Sequence, residues 1–282
     1  MNERKNKLHA EALQQAVTAL RTGQFRRAEH QAAAILKANR TDRSALLILA
    51  HALLRQHRAD EAIAPLEKAA NRTSDPEIET LLGAALCDAR RGADGIARLR
   101  VAAARRPPYL PAFQELAGRL AKAARLGEAI SVIEQGLALA PASIDLKVDL
   151  ARLCVQASDR EKARENLAAA RDAAPGRADI LAELGLVLFL DGAYAEAADT
   201  FRNALGLRPD DPQSRANLAM CLLELGQRDG AETALRSMVR GRPHLVTRAA
   251  HALAGCSHGR FFFRISAAAK FLEADTSAMP KR

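Results

Sequence analysis

Small residues recur along this chain with a period that leaves few folds open. Ala16, Ala50, Gly83, Ala117, Ala151, Gly185 and Ala219 follow one another at steps of 34 residues, with one step of 33. A second set, Ala28, Ala62, Gly95, Ala129, Ala163, Ala197 and Ala231, keeps the same spacing and shortens at the same place. Both sets lose a residue together, so the deletion falls in a connection, near residues 71–76. A period of this length marks a chain built from copies of one supersecondary unit.

The large residues keep step. Leu49, Leu82, Leu116, Leu150, Leu184 and Leu218 each precede the first small residue, and Leu66, Leu99, Ile133, Leu167, Phe201 and Leu235 follow the second. Pro107, Pro141, Pro175, Pro209 and Pro243 mark where the second segment of a unit must stop, because proline cannot continue a helix. Each unit therefore reads as helix, short turn, second helix. Seven copies follow, at roughly 9–42, 43–75, 76–109, 110–143, 144–177, 178–211 and 212–245. The clearest is Ala178 to Pro209, with Leu184, Gly185, Leu188, Gly192, Tyr194, Ala197, Phe201, Ala204 and Pro209 in order. That order and spacing resembles the tetratricopeptide repeat, and the resemblance covers residues 9–245.

One such hairpin cannot bury its apolar face alone, whereas a neighbour on each side completes the core. The fold class expected is all-α: a right-handed superhelical α-solenoid of helical hairpins, its concave surface lined by the first helices. Composition agrees. Hydrophobic residues make up 49% of the 282, but aromatics only 4%, and Trp is absent, so the core must be Ala and Leu, which suit closely packed helices. The first copy carries Gln15 where leucine is expected and Arg40 where later copies have proline, as a terminal cap requires. The charged residues 1–8 ahead of it read as a frayed segment. After Leu245 the period fails. Val246 to Cys256 reads as one more first helix, and Ser266 is expected to cap a short helix with Phe263, Ala267 and Phe271 on one side. Residues 246–275 are thus expected to form capping helices, and 276–282 a loose tail.

Charge and cysteines constrain partners and setting. Net charge is +9, from 42 Lys and Arg against 33 acids, with Arg far ahead of Lys, as in high-GC bacterial coding. Both ends are basic around an acidic middle, whereas one nucleic-acid groove calls for a continuous basic stripe. No apolar run reaches signal-peptide or membrane-span length, so the chain is expected to be cytoplasmic. Cys87, Cys154, Cys221 and Cys256 lie far apart without a CxxC and read as small buried thiols.

Nothing in the sequence has the form of a catalytic site. It lacks a glycine-rich phosphate loop, GxSxG and HExxH. The acids sit at helical spacings among Arg and Lys, as on a solvated face. His251, Cys256 and His258 are close in sequence, but a fourth ligand is missing and the spacing fits no common zinc site. No enzyme activity, cofactor or metal is expected.

The resemblance implies binding, on inner positions of the first helices. These carry Leu20 and Arg21, then His51, Leu54 and Arg55, then Arg152, then Leu186, Phe189 and Leu190, then Asn217, Met220 and Leu223. Some members of the family clamp a terminal carboxylate with Lys and Asn at such positions. Only Asn217 resembles part of that set, so the clamp is not carried over. The later positions are apolar instead and suit an amphipathic helix or extended peptide, unless the chain's own Phe261–Leu272 covers them. The leading expectation is a non-enzymatic scaffold or adaptor holding a protein partner in the concave groove. An alternative is an accessory or targeting subunit of a bacterial enzyme system, in envelope or polysaccharide assembly or with a transferase, docked through Arg260, Phe261, Phe262, Phe263 and Phe271. A binder of nucleic acid or another polyanion ranks third, because aromatics for base stacking are scarce in the repeats. Open array ends also allow a homo-oligomer.

Overall fold

A computed structural model describes residues 2–272. The expected tail at 276–282, and residues 273–275 of the expected capping segment, lie outside the described residues. Among the described residues there are sixteen α-helices and one 3-10 turn. They group into two compact units, Met1–Pro141 and Ala142–Arg282.

The first unit holds four antiparallel hairpins: α1 (Asn2–Arg21) with α2 (Phe25–Ala38), α3 (Arg43–Arg55) with α4 (Ala59–Ala70), α5 (Pro76–Asp88) with α6 (Gly92–Ala103), and α7 (Leu110–Lys122) with α8 (Leu126–Leu139). Each helix packs on the next in sequence, and the first helices α1, α3, α5 and α7 also touch in succession. The second unit holds α9 (Ile144–Gln156) with α10 (Arg160–Ala173), α11 (Ala178–Leu190) with α12 (Tyr194–Leu207), and α13 (Pro212–Glu224) with α14 (Arg228–Val239). The 3-10 turn Pro243–Leu245, α15 (Val246–Ala254) and α16 (Ile265–Phe271) follow, with α15 against α13 and α16 against α15.

Both columns of small residues are buried along their whole length. Their size is set by the crossing inside each hairpin. A Cβ on Gly95 would stand 2.6 Å from the Gly83 carbonyl oxygen and collide with Cys87 Sγ, and one on Gly185 would meet the Phe201 ring at 2.9 Å. The large residues beside them, such as Leu66, Leu82, Leu99, Leu116, Ile133, Leu167, Phe201 and Leu235, fill the core at no more than 2% exposure.

All seven hairpin turns are built alike. The residue in the left-handed region is Gly23, His57, Arg90, Ala124, Ser158, Gly192 and Gly226 in turn, with φ between 58° and 77°. The following N–H donates to the carbonyl five residues back, as Arg91 does to Leu86 at 2.8 Å and Ala193 to Leu188 at 2.9 Å. This is the Schellman closure that satisfies the last carbonyls of a helix. Carboxylates and a hydroxyl start several helices: Asp42, Asp75, Ser143, Asp159 and Asp211 accept from N–H groups of the following first turn.

Two expectations are corrected. α1 begins at Asn2, so the charged segment ahead of the first repeat belongs to the same helix. At the other end α16 starts at Ile265 after Arg264, and Ser266, already inside the first turn, caps nothing. Phe263 lies before that helix at 96% exposure and Ala267 is exposed, while Ala268, Ala269 and Leu272 supply the buried face.

Candidate binding surfaces

In the first unit, the last turn of α1, the turn to α2 and the exposed face of α3 enclose a hollow of about 400 Å³, lined by Leu20, Arg21, Gly23, Phe25, His51 and Arg55. Gly23, at φ +75°, turns the chain there and leaves open space where a side chain would stand. His51 and Arg55 are one helical turn apart and share a face. The Arg55 guanidinium lies 5.4 Å from the centre of the Phe25 ring. Neither Arg21 nor Arg55 has a carboxylate partner among the described residues, whereas Arg43, Arg58 and Arg119 of this unit are each held by two. The protein around His51 lowers its imidazole pKa by desolvation, although the side chain is open to solvent; Glu77 opposes the shift. Of the predicted residues, His51 and Arg55 thus come together with Leu20 and Arg21. Leu54 turns inward and packs against the core of α3, α4 and α5.

A larger hollow of about 570 Å³ lies between α6, α7 and α8, lined in part by Ala103, Phe113, Val132 and Leu139. Periodicity gave no sign of it, since second-helix positions vary freely there. Two of its charged residues pair with each other, Arg100 with Glu128 at 2.8 Å, so it offers less unmatched charge than the α1–α3 hollow.

In the second unit the predicted residues separate. Arg152 is exposed, but its guanidinium is held by Glu183 at 2.8 Å and Asp149 at 3.4 Å. Arg177 bridges Asp145 and Asp179 at 2.5 and 2.6 Å, so the carboxylates of α9 and α11 already have arginine partners. Leu186, Phe189 and Met220 are half-buried, and Leu190 is 39% exposed. The Phe189 ring leans on Tyr194, centroids 5.4 Å apart. Asn217 accepts a hydrogen bond from Gln213 Nε2 at 2.9 Å. Leu223 is corrected: it is fully buried. Residues 256–259 fold onto the end of α13 beside it. His258 Nδ1 lies 3.0 Å from the Leu223 carbonyl, and Ser257 gives both its N–H and its hydroxyl to the Glu224 carboxylate at 2.9 and 2.7 Å. Those two donors hold the Glu224 carboxyl below its usual range.

The aromatic segment divides into two faces. Phe262 and Phe271 turn inward, ring centres 5.3 Å apart, and the guanidinium groups of Arg260 and Arg236 lie over Phe271 at 4.3 and 5.3 Å. Phe261 and Phe263 turn outward. Among the described residues no three potential ligands converge as a metal site requires. Burial pushes the Cys221 thiol up to about 12, and burial with the Glu224 carboxylate raises Cys256 to about 11, so neither is a ready thiolate.

Models of the tetratricopeptide repeat match residues 13–76 and 148–212 in one case and 188–255 in another. No curated protein matches the chain. Among solved structures, a thermophilic tetratricopeptide repeat protein of Thermus thermophilus superposes with a TM-score of 0.54 at 21% identity, over 64% of this chain and 99% of that one. PilF of Pseudomonas aeruginosa superposes at 0.58 and 17% identity, over 71% and 92%, and a MamA protein at 0.52 and 15%, over 61% and 94%. At these identities the likeness establishes the shared fold. The matched segments cover more than half of the sequence, and with the packed columns and repeated turns they show that the chain belongs to the tetratricopeptide repeat family.

Proposed function

We propose that this chain is a non-enzymatic interaction protein whose first helices hold a peptide or amphipathic helix of a protein partner. Tetratricopeptide arrays are in general non-catalytic scaffolds for protein association. The observation that carries the finer reading is the α1–α3 hollow, where Arg21 and Arg55 lack a carboxylate partner beside Phe25 and Leu20. Such a place suits an acidic side chain of the partner with an apolar residue next to it. Leu186, Phe189, Leu190 and Met220 offer a second, apolar contact in the other unit.

The test is capture of partners by cross-linking on the wild-type chain, on Arg21→Glu with Arg55→Glu, and on Leu190→Glu. The arginine pair is exposed, so its reversal should leave the fold intact and remove or greatly weaken the captured set. Equal recovery from all three proteins would show that neither surface binds.

A further inference from the structure

We propose that the turn between α15 and α16 is a docking tip for an anionic membrane surface. It rests on observations separate from the peptide-binding reading. Among the described residues, Phe261 is 68% exposed, Phe263 96% and Ile265 41%, so three large apolar residues within five positions stand open to water. Scattered exposed apolar residues need no explanation, but a cluster does. The cluster is presented on a firm base. Arg260 donates its N–H to the Leu253 carbonyl at 2.8 Å and Gly259 to Cys256 at 3.0 Å. A side chain on Gly259 would run into that Leu253 oxygen, so only glycine permits the approach. From there the chain alternates: Phe262 points in against Phe271, while Phe261 and Phe263 point out and meet edge to face at 5.3 Å and 87°.

Charge identifies the occupant. No Asp or Glu occurs between Glu232 and Glu273, a stretch that carries seven Arg or Lys and three His. Arg240, Arg248, Arg264 and Lys270 are exposed, and none has an ion-pair partner among the described residues. Exposed apolar side chains on a segment that carries unmatched cations to either side in sequence complement the headgroup region of an anionic bilayer, which takes apolar groups about 5–10 Å deep while cations meet the phosphates. Arginine stems follow the apolar surface and keep their heads at the phosphates. Single-stranded nucleic acid fits less well. It stacks successive bases on ring faces set side by side, and here the two rings stand nearly perpendicular, at 87°.

The experiment is co-sedimentation of the full chain with vesicles of phosphatidylcholine mixed with phosphatidylglycerol, against vesicles of phosphatidylcholine alone. The wild type should bind the mixed vesicles at low salt, leave the neutral ones, and be released as ionic strength rises. Phe261→Ser with Phe263→Ser should reduce binding roughly tenfold or more with an unchanged circular dichroism spectrum. Phe261→Leu with Phe263→Leu should retain most of it, since insertion needs an apolar side chain and stacking needs a ring. Absence of wild-type binding, full binding by the serine variant, or equal loss in both variants would overturn the proposal. Equal loss together with aromatic-dependent binding of a single-stranded oligonucleotide would reassign the tip to nucleic acid.

Discussion

At the scale of single residues, the hairpin turns show a conflict between backbone and side chain. Each needs one residue in the left-handed region, yet only Gly23, Gly192 and Gly226 meet the need with glycine, while His57, Arg90, Ala124 and Ser158 hold it with a Cβ. The strain of such a residue is about 1–2 kcal/mol, against about 0.4–1 kcal/mol for the extra freedom glycine brings to the unfolded chain. Strain wins by a small margin. Ala124→Gly should therefore stabilise the protein by roughly 0.5 kcal/mol, read as a shift in the urea midpoint. Gly192→Ala should destabilise it by roughly 0.5 kcal/mol, the same balance with the opposite sign, because nothing lies within 4 Å of the added methyl to add a steric cost. Gly95→Ala acts by another route, since its methyl meets the backbone of α5, and it should cost about 1–3 kcal/mol. The packing columns were legible in the sequence because close helix crossing tolerates only Ala or Gly at those positions. The turn column was not, because four different side chains occupy it and the requirement lies in φ.

At the scale of elements, helix starts carry both polar structure and pH dependence. Burial raises the Asp75 carboxyl pKa, but the Arg43 guanidinium and the N–H groups of Glu77 and Ile78 together hold it below the usual range. At Asp211 burial is likewise outweighed, by the Ser214 hydroxyl and the N–H groups of Ser214 and Gln213. A carboxyl depressed by folding binds its proton more weakly in the folded chain. Its contribution is therefore complete above the unfolded value, about pH 4, and is lost as the pH falls through the lower folded value. Thermal melts should show wild-type stability dropping across that window. Asp211→Asn keeps an acceptor for the cap without titrating, so its melting temperature should fall less steeply. Asp211→Ala should lose about 1 kcal/mol at neutral pH. Glu79 is the one buried acid among the described residues, 2% exposed, and Arg105 meets it with two hydrogen bonds. Arg105→Ala, which strands that carboxylate, should destabilise more than Arg91→Ala, which removes an exposed pair with Asp94. The Glu79–Arg105 pairing joins positions 26 residues apart, which periodicity does not address.

At the scale of the whole molecule, the repeat architecture is legible in the sequence, whereas only the structure shows which predicted groove positions remain open. First-helix spacing put Leu186, Phe189, Leu190, Met220 and Leu223 on one face, but spacing does not report what folds back upon a face. Residues 256–259 do so at the end of α13, where Ser257 and His258 engage Glu224 and the Leu223 carbonyl. In a stacked array each hairpin leans chiefly on its neighbours, so the loss of an end piece should spread inward with decreasing force. Ending the chain at Gly255 removes α16 and the segment 256–259. That takes away the partners of the Leu223 carbonyl and the Glu224 carboxylate and leaves α15 without Ala268, Ala269 and Leu272. Hydrogen exchange should then quicken most in α15 and α13, less in α14, and least in α9 and α10, which belong to the hairpin farthest along the second unit from the removed end. Uniform loss of protection through α9–α15 would instead mean that the second unit unfolds as one cooperative block, and that the C-terminal segment holds the whole block together.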